Sequence, residues 1–202
     1  MSYFESLFTD SAKNLKSVNK LTTIALLTAC AVAVSYIKIP VATPNLQIRF
    51  DFIFLALVGW LFGPVSCALS AIVSDVGGYL INPLGGAFFI GYTIAKVISA
   101  LIYGICLYKK DQIAESFVKW TILSKTLVTV LVNIIINSYC MVLTGIYSYQ
   151  SLFAGPIYLR ISKNLILLPL EIIILFYVMR VIRPYAAKLK LLDGAKNDAA
   201  RS

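Results

Sequence analysis

The sequence contains 202 residues, of which 59% are hydrophobic and 13% are charged, and its formal net charge is +9. Soluble domains average about 45–50% apolar and about 25% charged residues, so this composition excludes a water-soluble fold. The chain can supply about six helical spans, which use roughly 120 residues at about 20 residues each. We therefore expect an all-α integral membrane protein with little mass outside the bilayer.

The charged residues and the absence of histidine narrow the possible functions. Basic residues occur in short clusters beside apolar runs, a pattern typical of cytoplasmic flanks and anionic lipid rather than of nucleic-acid binding. The sequence has no histidine, which removes the commonest metal ligand and general base. Its four cysteines lie singly within apolar runs, so neither a disulfide nor a metal site is predicted.

The first predicted span is the uncharged run at residues 21–37, followed by a proline-containing loop at residues 38–47. Ala25, Ala29 and Ala33 recur within it at a spacing of four. Such a stripe of small residues lets a second helix approach closely. That helix could belong to a partner protein or to this chain itself.

Residues 52–108 form a long apolar stretch whose only charged residues are Asp75 and Lys96. Breaks at Gly63-Pro64 and Asn82-Pro83 predict three helices rather than two. Three crossings also bring the lysines of residues 109–119 to the same side as those of residues 13–20, as the positive-inside rule requires. Charges within a span must be paired or face a cavity, so Asp75 and Lys96 are either a structural ion pair or functional residues.

The last two spans are predicted at residues 120–143 and 158–182, separated by an uncharged outer loop at residues 145–156. Six spans place both termini in the cytoplasm. The predicted organisation is a cytoplasmic segment (1–20), a six-helix substrate-binding domain (21–183) and a basic cytoplasmic tail (184–202). Glu171, inside the sixth span, could accept a hydrogen bond from Asn133.

A group of polar residues at the outer ends of the last two spans is not explained by topology. Arg160 and Lys163 lie three residues apart and Asn164 follows one turn after Arg160, so the three share one helix face. Two cations and an amide there predict an anion-binding site, with snorkelling to lipid phosphates as the alternative. Asn137 and Tyr139 add hydrogen-bonding groups at the end of the fifth span.

The entrance to the fourth span is rich in glycine and aromatic residues, among them Phe88, Phe89 and Tyr92. Stacked aromatic rings suit a flat heteroaromatic ligand, although an interfacial aromatic belt would have the same composition. Residues 86–91 also fit the GxxxxG half of a P-loop. Tyr92 stands where a P-loop requires lysine, so the chain has no visible means of using ATP.

The chain resembles the S-components, or substrate-binding membrane subunits, of energy-coupling-factor (ECF) vitamin transporters, specifically their folate-specific branch. The resemblance covers about residues 20–185. The stretches that carry it are RFDF (49–52), LFGPV (61–65), SDVGGYL (74–80), PLGGAFF (83–89), RISKNL (160–165) and LPLE (168–171).

The resemblance implies a high-affinity folate-binding subunit that is not itself an enzyme and has no cofactor. Its implied partners are folate, membrane lipid, a transmembrane coupling subunit and two ATPase subunits that alone use ATP, in a bacterial plasma membrane. The implied docking surface is the stripe Ala25, Ala29 and Ala33. The candidate substrate-binding residues are Arg49, Asp75, Phe88, Phe89, Tyr92, Asn137, Tyr139, Arg160, Lys163 and Asn164.

Three other functions are weighed against this reading. An S-component for another vitamin, such as riboflavin, would share the architecture, although two outer cations favour a dianionic ligand. A membrane-embedded enzyme would need a serine–lysine or carboxylate pair, and no motif surrounds Asp75 or Glu171. A purely structural membrane subunit would have no reason to place cations and aromatic residues together at its outer face.

Overall fold

The protein folds as a bundle of apolar helices with a short N-terminal helix and one hairpin at its ends. The computed structural model describes residues 3–41, 43–81, 88–109, 114–146, 148, 150, 156–189 and 191. Its elements are α1 (Tyr3–Asn14), α2 (Val18–Ser35), β1 (Lys38–Val41), β2 (Thr43–Arg49), α3 (Phe52–Phe62), α4 (Pro64–Ile81), α5 (Ile90–Leu107), α6 (Ala114–Leu127), a π-helical segment (Val128–Ile136), α7 (Asn137–Leu143) and α8 (Pro156–Lys188).

Among the described residues, five helices are long and apolar enough to cross a membrane. They are α2, α4, α5, the continuous helix Phe117–Leu143 and α8. α3 is equally apolar but has only 11 residues, which is about 17 Å at the helical rise. The predicted class of helical membrane protein is confirmed, and the stretch 52–108 is divided into three helices as expected. The second predicted break lies mostly at residues 82–87, outside the described residues.

α3 is the buried centre of the bundle. Residues 55–62 are all buried, as expected for a helix that is hydrophobic on every side. It packs against α2, α4 and α5. A Cβ atom on Gly59 would lie 3.0 Å from the backbone nitrogen of Gly104, so Gly59 lets the backbones of α3 and α5 approach closely.

The short helix α1 closes the end of the bundle where α3 stops. Its buried face carries Leu7, Ser11 and Asn14. The Ser11 hydroxyl donates to the carbonyl of Phe62 at 2.7 Å and accepts from the N–H of Val65 at 3.0 Å. One side chain therefore satisfies the last turn of α3 and the first turn of α4, groups that a helix leaves unpaired. The sequence did not predict this helix.

Two polar contacts tie α1 to the end of α5. The Asn14 side-chain amide donates to the Tyr108 hydroxyl at 3.2 Å, and the Lys109 ammonium lies 2.6 Å from the Asp10 carboxylate. The hydrogen bond from Lys109 holds the pKa of Asp10 below its ordinary value. α1 and the ends of α3 and α5 therefore share one end of the bundle.

The predicted loop at residues 38–47 is wrong, because this segment forms an antiparallel hairpin. β1 pairs with β2 so that Lys38 lies opposite Arg49 and Pro40 opposite Gln47, with an irregularity after Pro40. The two prolines favoured a loop in the sequence. In a two-stranded ribbon each strand has one unpaired edge, and this edge accommodates a residue without an N–H. The fold is therefore helical with one short hairpin.

Candidate functional site

Four charged side chains meet between the end of the hairpin and helices α3, α4 and α5. Arg49 Nη2 donates to Asp51 Oδ2 at 2.8 Å, and Lys96 Nζ lies 3.3 Å from the same oxygen. Lys96 Nζ also lies 3.8 Å from Asp75 Oδ1. Thr93 donates its hydroxyl hydrogen to Asp75 Oδ2 at 2.7 Å. Two cations and two carboxylates thus form one neutral network.

The network joins the hairpin to the bundle, and Arg49 is its most exposed member. The Asp51 and Lys96 side chains are 9% and 10% exposed, whereas the Arg49 side chain is 44% exposed. The expected contact between Asp75 and Lys96 is present, but Asp51 is the nearer partner of Lys96. Asp51 was not among the candidate site residues. Its position between Arg49 and the start of an apolar helix could have identified Asp51 as a partner of a cation.

The aromatic residues before and within α5 form two edge-on pairs. The ring centroids of Phe89 and Tyr92 lie 5.7 Å apart, and those of Tyr79 and Phe88 lie 5.1 Å apart. Any side chain at Gly91 would collide with the Phe89 ring, so this glycine lets the ring fold back over the start of α5. Gly85 and Gly86, which belong to the glycine-rich entrance of the predicted fourth span, lie outside the described residues.

The second polar group lies where α7 and α8 meet. Arg160 Nη1 donates to the Ser138 hydroxyl at 3.2 Å. Asn164, one turn further along α8, is 7% exposed. Ser138 was not predicted as a site residue. It is buried, and in the sequence it stands between the candidate residues Asn137 and Tyr139.

The other candidates at this end of α7 and α8 are less enclosed. The Tyr139 side chain is 59% exposed, and Asn137 and Lys163 are half-buried. Lys163 interacts electrostatically with Arg160. The structure therefore brings Arg160, Lys163 and Asn164 to one part of α8, as their spacing predicted.

A third group of ionised side chains consists of Lys125 and Glu171. The sequence analysis singled out Glu171 but not Lys125. Lys125 Nζ lies 3.1 Å from Glu171 Oε2 and 3.5 Å from the centroid of the Phe52 ring. The Lys125 side chain is 2% exposed. The suggested partner of Glu171, Asn133, is thus replaced by Lys125. A cation within the predicted span 120–143 was the overlooked signal.

The helix that carries Lys125 and Ser138 is π-helical between them. The π segment has nine residues, Val128–Ile136. Such segments are rare and frequently occur at functional sites. Because each π turn contains more residues than an α turn, the segment changes which side chains of the helix face α8 beyond it.

The alanine stripe lies on the outer surface of α2. Ala25, Ala29 and Ala33 are all exposed, whereas the buried face of α2 carries Ile24, Thr28, Ala31 and Ser35. Among the described residues none covers the stripe, and its role in docking stays a prediction. The stripe forms a surface on which a helix of another protein could lie.

Apolar helices with apolar outer surfaces, and ionised side chains collected inside them, define a helical membrane-embedded protein. Residues 19–179 match the family described as ECF transporter, substrate-specific component. This match covers well over half of the chain, so the chain belongs to the substrate-specific components of ECF transporters. The prediction of a transporter subunit rather than an enzyme is confirmed.

The curated relatives agree with the resemblance found in the sequence. The chain is 32% identical over 149 residues to the folate transporter FolT of Leuconostoc mesenteroides, with 70% of this chain and 75% of that protein covered. It is 33% identical over 143 residues to FolT of Clostridium novyi, with 70% and 77% covered. The resemblance to the folate-specific branch is thereby confirmed.

Solved structures extend the agreement to three dimensions. The crystal structure of FolT bound with folic acid has 30% identity to this chain and a TM-score of 0.66, and the match covers 80% of this chain and 93% of that one. A bacterial ECF transporter S component has a TM-score of 0.56 at 21% identity, covering 82% and 95% respectively. This second likeness supports the fold alone.

Proposed function

We propose that this chain is a folate-binding S-component that captures folate at the outer face of the bacterial cell membrane. The likeness to folate transporters supports the ligand, and the contact between Arg160 and Ser138 is the observation on which the binding site rests. Folate carries two carboxylates on its glutamate tail and a flat pterin ring. The site therefore needs cations and an aromatic surface.

The anion-binding part of the proposed site is the start of α8. Arg160 has a planar guanidinium that suits a carboxylate, and its hydrogen bond to Ser138 restricts its orientation. Lys163 adds a second cation and Asn164 adds an amide on the same helix face. Asn137 and Tyr139 would complete the polar edge. Two cations for two carboxylates is the charge balance that folate requires.

The pterin-binding part is proposed at the aromatic pairs that open α5. Phe88, Phe89 and Tyr92 present ring edges and faces there. Thr93, the residue after Tyr92 on α5, donates a hydrogen bond to the carboxylate of Asp75 on α4. A carboxylate can accept hydrogen bonds from the amino group of a pterin. Arg49 would contact the ligand at the rim of the site, because its charged network joins the hairpin to this part of the bundle.

These parts share one end of the bundle if every apolar helix crosses the membrane. The hairpin, the end of α4, the start of α5, the end of α7 and the start of α8 then lie on the outer side. α1, Gly63 and the end of α5 lie on the cytoplasmic side with both termini. The buried contacts of Ser11 and Tyr108 support this arrangement. Six crossings also place the cations of residues 180–190 in the cytoplasm.

The short helix α3 is compatible with a crossing because its ends are polar and buried. It is about 17 Å long, less than the roughly 30 Å of hydrocarbon. The Asp51 network at one end and Ser11 at the other supply charges and hydrogen-bonding groups beyond it. Neighbouring helices shield α3 from lipid, so its length need not match the bilayer.

Delivery of folate is proposed to occur by docking on an energising module of a transmembrane coupling subunit and two ATPase subunits. The exposed stripe of Ala25, Ala29 and Ala33 supports a docking surface on α2. Alanine lets a partner helix approach closely, and such contact is the main source of helix association in lipid. No cofactor of this chain is needed, because the partner subunits use the ATP.

Ligand identity tests this proposal directly. The full chain would be purified in detergent, and small molecules released by denaturation would be identified by mass spectrometry. Calorimetric titration with folate and with riboflavin would follow on stripped protein. We expect co-purified folate and saturable folate binding at a ratio of one to one. Tight binding of riboflavin without binding of folate would overturn the assignment.

A further inference from the structure

The buried pair of Lys125 and Glu171 lies outside the proposed folate contacts. Lys125 extends from α6, and its ammonium lies 3.1 Å from the Glu171 carboxylate of α8. The Phe52 ring covers the ammonium at 3.5 Å, a geometry in which a cation is attracted to the aromatic face. Removing two charges from water is expensive, and an apolar pair of similar volume is often as stable. Stability alone therefore does not explain this pair.

Glu171 lies on the helix face that carries the anion site. It follows Arg160 by 11 residues and Asn164 by seven, which are close to three and two turns of an α-helix. Lys163 interacts electrostatically with Arg160, with Glu171 and with Lys125. The carboxylate of Glu171 and the cations of the anion site therefore act on one another through the same interior.

An uncompensated Glu171 would compete with the ligand for these cations. Charges interact more strongly in an interior of low dielectric constant than in water. Lys163 lies eight residues before Glu171, which is a little more than two turns and about 12 Å along the helix axis. Its long flexible side chain must therefore extend along the helix to approach this carboxylate. A contact of that kind would withdraw one of the two cations from an anionic ligand. Lys125 is the cation nearest to Glu171 and prevents it.

We propose that Lys125 is a positioning residue that neutralises Glu171 and thereby keeps Lys163 and Arg160 directed to the carboxylates of the ligand. This inference rests on the proposed function, because it takes the glutamate tail of folate as the anion. The inference also gives a geometric role to the π-helical segment that follows Lys125. The segment lets one helix contact α8 at Glu171 through Lys125 and at Arg160 through Ser138.

The proposal separates two variants that a purely structural pair would treat alike. Lys125→Met leaves Glu171 uncompensated beside the anion site, whereas Glu171→Gln removes the competing carboxylate. Both variants lose a buried ion pair and should unfold at lower temperature. Only Lys125→Met should lose preference for an anionic tail. Lys125→Met combined with Glu171→Gln should regain that preference, and Lys125→Arg should keep it.

The experiment compares folate with pteroate, which has the same rings but carries one benzoate carboxylate in place of the two carboxylates of the glutamate tail. Dissociation constants for both ligands would be measured by calorimetry on the full chain in detergent, and the ratio of the pteroate to the folate constant would be calculated. We expect Lys125→Met to lower this ratio by at least about tenfold and the double variant to restore it to within about threefold of wild type. Lys125→Gln is the milder substitution should Lys125→Met not fold.

The outcomes distinguish failure of the positioning role from failure of the folate assignment. An equal loss of both ligands in Lys125→Met, or equal ratios in Lys125→Met and Glu171→Gln, would overturn the positioning role and leave a structural pair. Failure of the wild-type chain to bind folate would instead overturn the proposed function. A wild-type chain that binds folate and pteroate equally would show that the glutamate tail is not recognised. It would contradict the positioning role and the anion site assigned to Arg160 and Lys163, and would leave folate as the ligand.

Discussion

The guanidinium of Arg160 and the hydroxyl of Ser138 lie 3.2 Å apart, with Arg160 as the donor. This contact joins the start of α8 to the last part of the preceding span, just after its π-helical segment. Because the hydroxyl can accept only from a limited direction, it restricts the plane of the guanidinium. The anion site is therefore shaped by two helices, although its cations all come from one.

Replacing Ser138 by alanine tests whether this contact prepares Arg160 for the ligand. A typical net hydrogen bond contributes about 0.5–1.5 kcal/mol, so folate affinity should fall by roughly three- to tenfold. Ser162→Ala is the matched control, because Ser162 lies on α8 with its side chain exposed. Calorimetry would compare the two. Equal affinities in both variants would show that Ser138 does not prepare the site.

Replacing Asp51 by asparagine tests the network that joins the hairpin to the bundle. The variant leaves Lys96 and Arg49 with one carboxylate fewer in a buried position, and breaking such a pair typically costs about 3–5 kcal/mol. Thermal unfolding in detergent should begin at a clearly lower temperature. Absence of any shift would mean that the network does not stabilise the fold.

Asp10→Asn is the control for this experiment, because it removes a carboxylate from an accessible pair with Lys109. Accessible pairs contribute about 0–1 kcal/mol. The pKa of Asp10 is lowered by Lys109, so its small contribution is present at neutral pH and is lost only as the pH falls through that lowered value. A shift as large as that of Asp51→Asn at neutral pH would contradict the distinction.

Bulk added to the alanine stripe should separate binding from transport. Trp at position 25, 29 or 33 would fill the space that a partner helix needs, and should abolish folate uptake by cells while purified protein still binds folate. Ile173→Trp is the control, since Ile173 is 63% exposed on a different helix, α8. Normal uptake with all three substitutions would show that α2 is not the docking surface.

Reporter fusions test the topology of six crossings. A reporter at residue 112 and another at residue 202 should both give a cytoplasmic signal, because the lysines and arginines near these points are retained on that side. The fusions would be compared with one inserted in the predicted outer loop at residues 145–156, which should report the outside. An external signal at residue 112 or 202 would contradict the six-span arrangement.

The long apolar helices could be predicted from sequence because hydropathy and proline breaks are local properties. Gly63 and Pro64 marked the end of α3 correctly, and the alanine spacing identified one face of α2. The hairpin could not be predicted, since pairing of β1 with β2 depends on contacts between strands. Pro40 pointed to a loop by removing an N–H that the outer edge of the ribbon does not require.

The polar contacts were harder to predict than the helices. Spacing placed Arg160 and Lys163 together, because both lie on one helix. The partners of these residues come from other helices, and nothing local indicates that Ser138 meets Arg160 or that Lys125 meets Glu171. The π segment adds to the difficulty by changing the helical register between Lys125 and Ser138. Ser11 was missed because its role depends on helix ends about 50 residues away.

Calorimetric titration of folate into Arg160→Ala and Lys163→Ala tests the central claim most directly. A hydrogen bond to a charged group contributes about 1.5–3 kcal/mol, so Arg160→Ala should weaken binding by roughly one to two orders of magnitude. Arg160→Lys should also bind more weakly, because an ammonium cannot form a bidentate contact with a carboxylate. Unchanged folate affinity in both alanine variants would contradict the account and assign these cations to lipid phosphates.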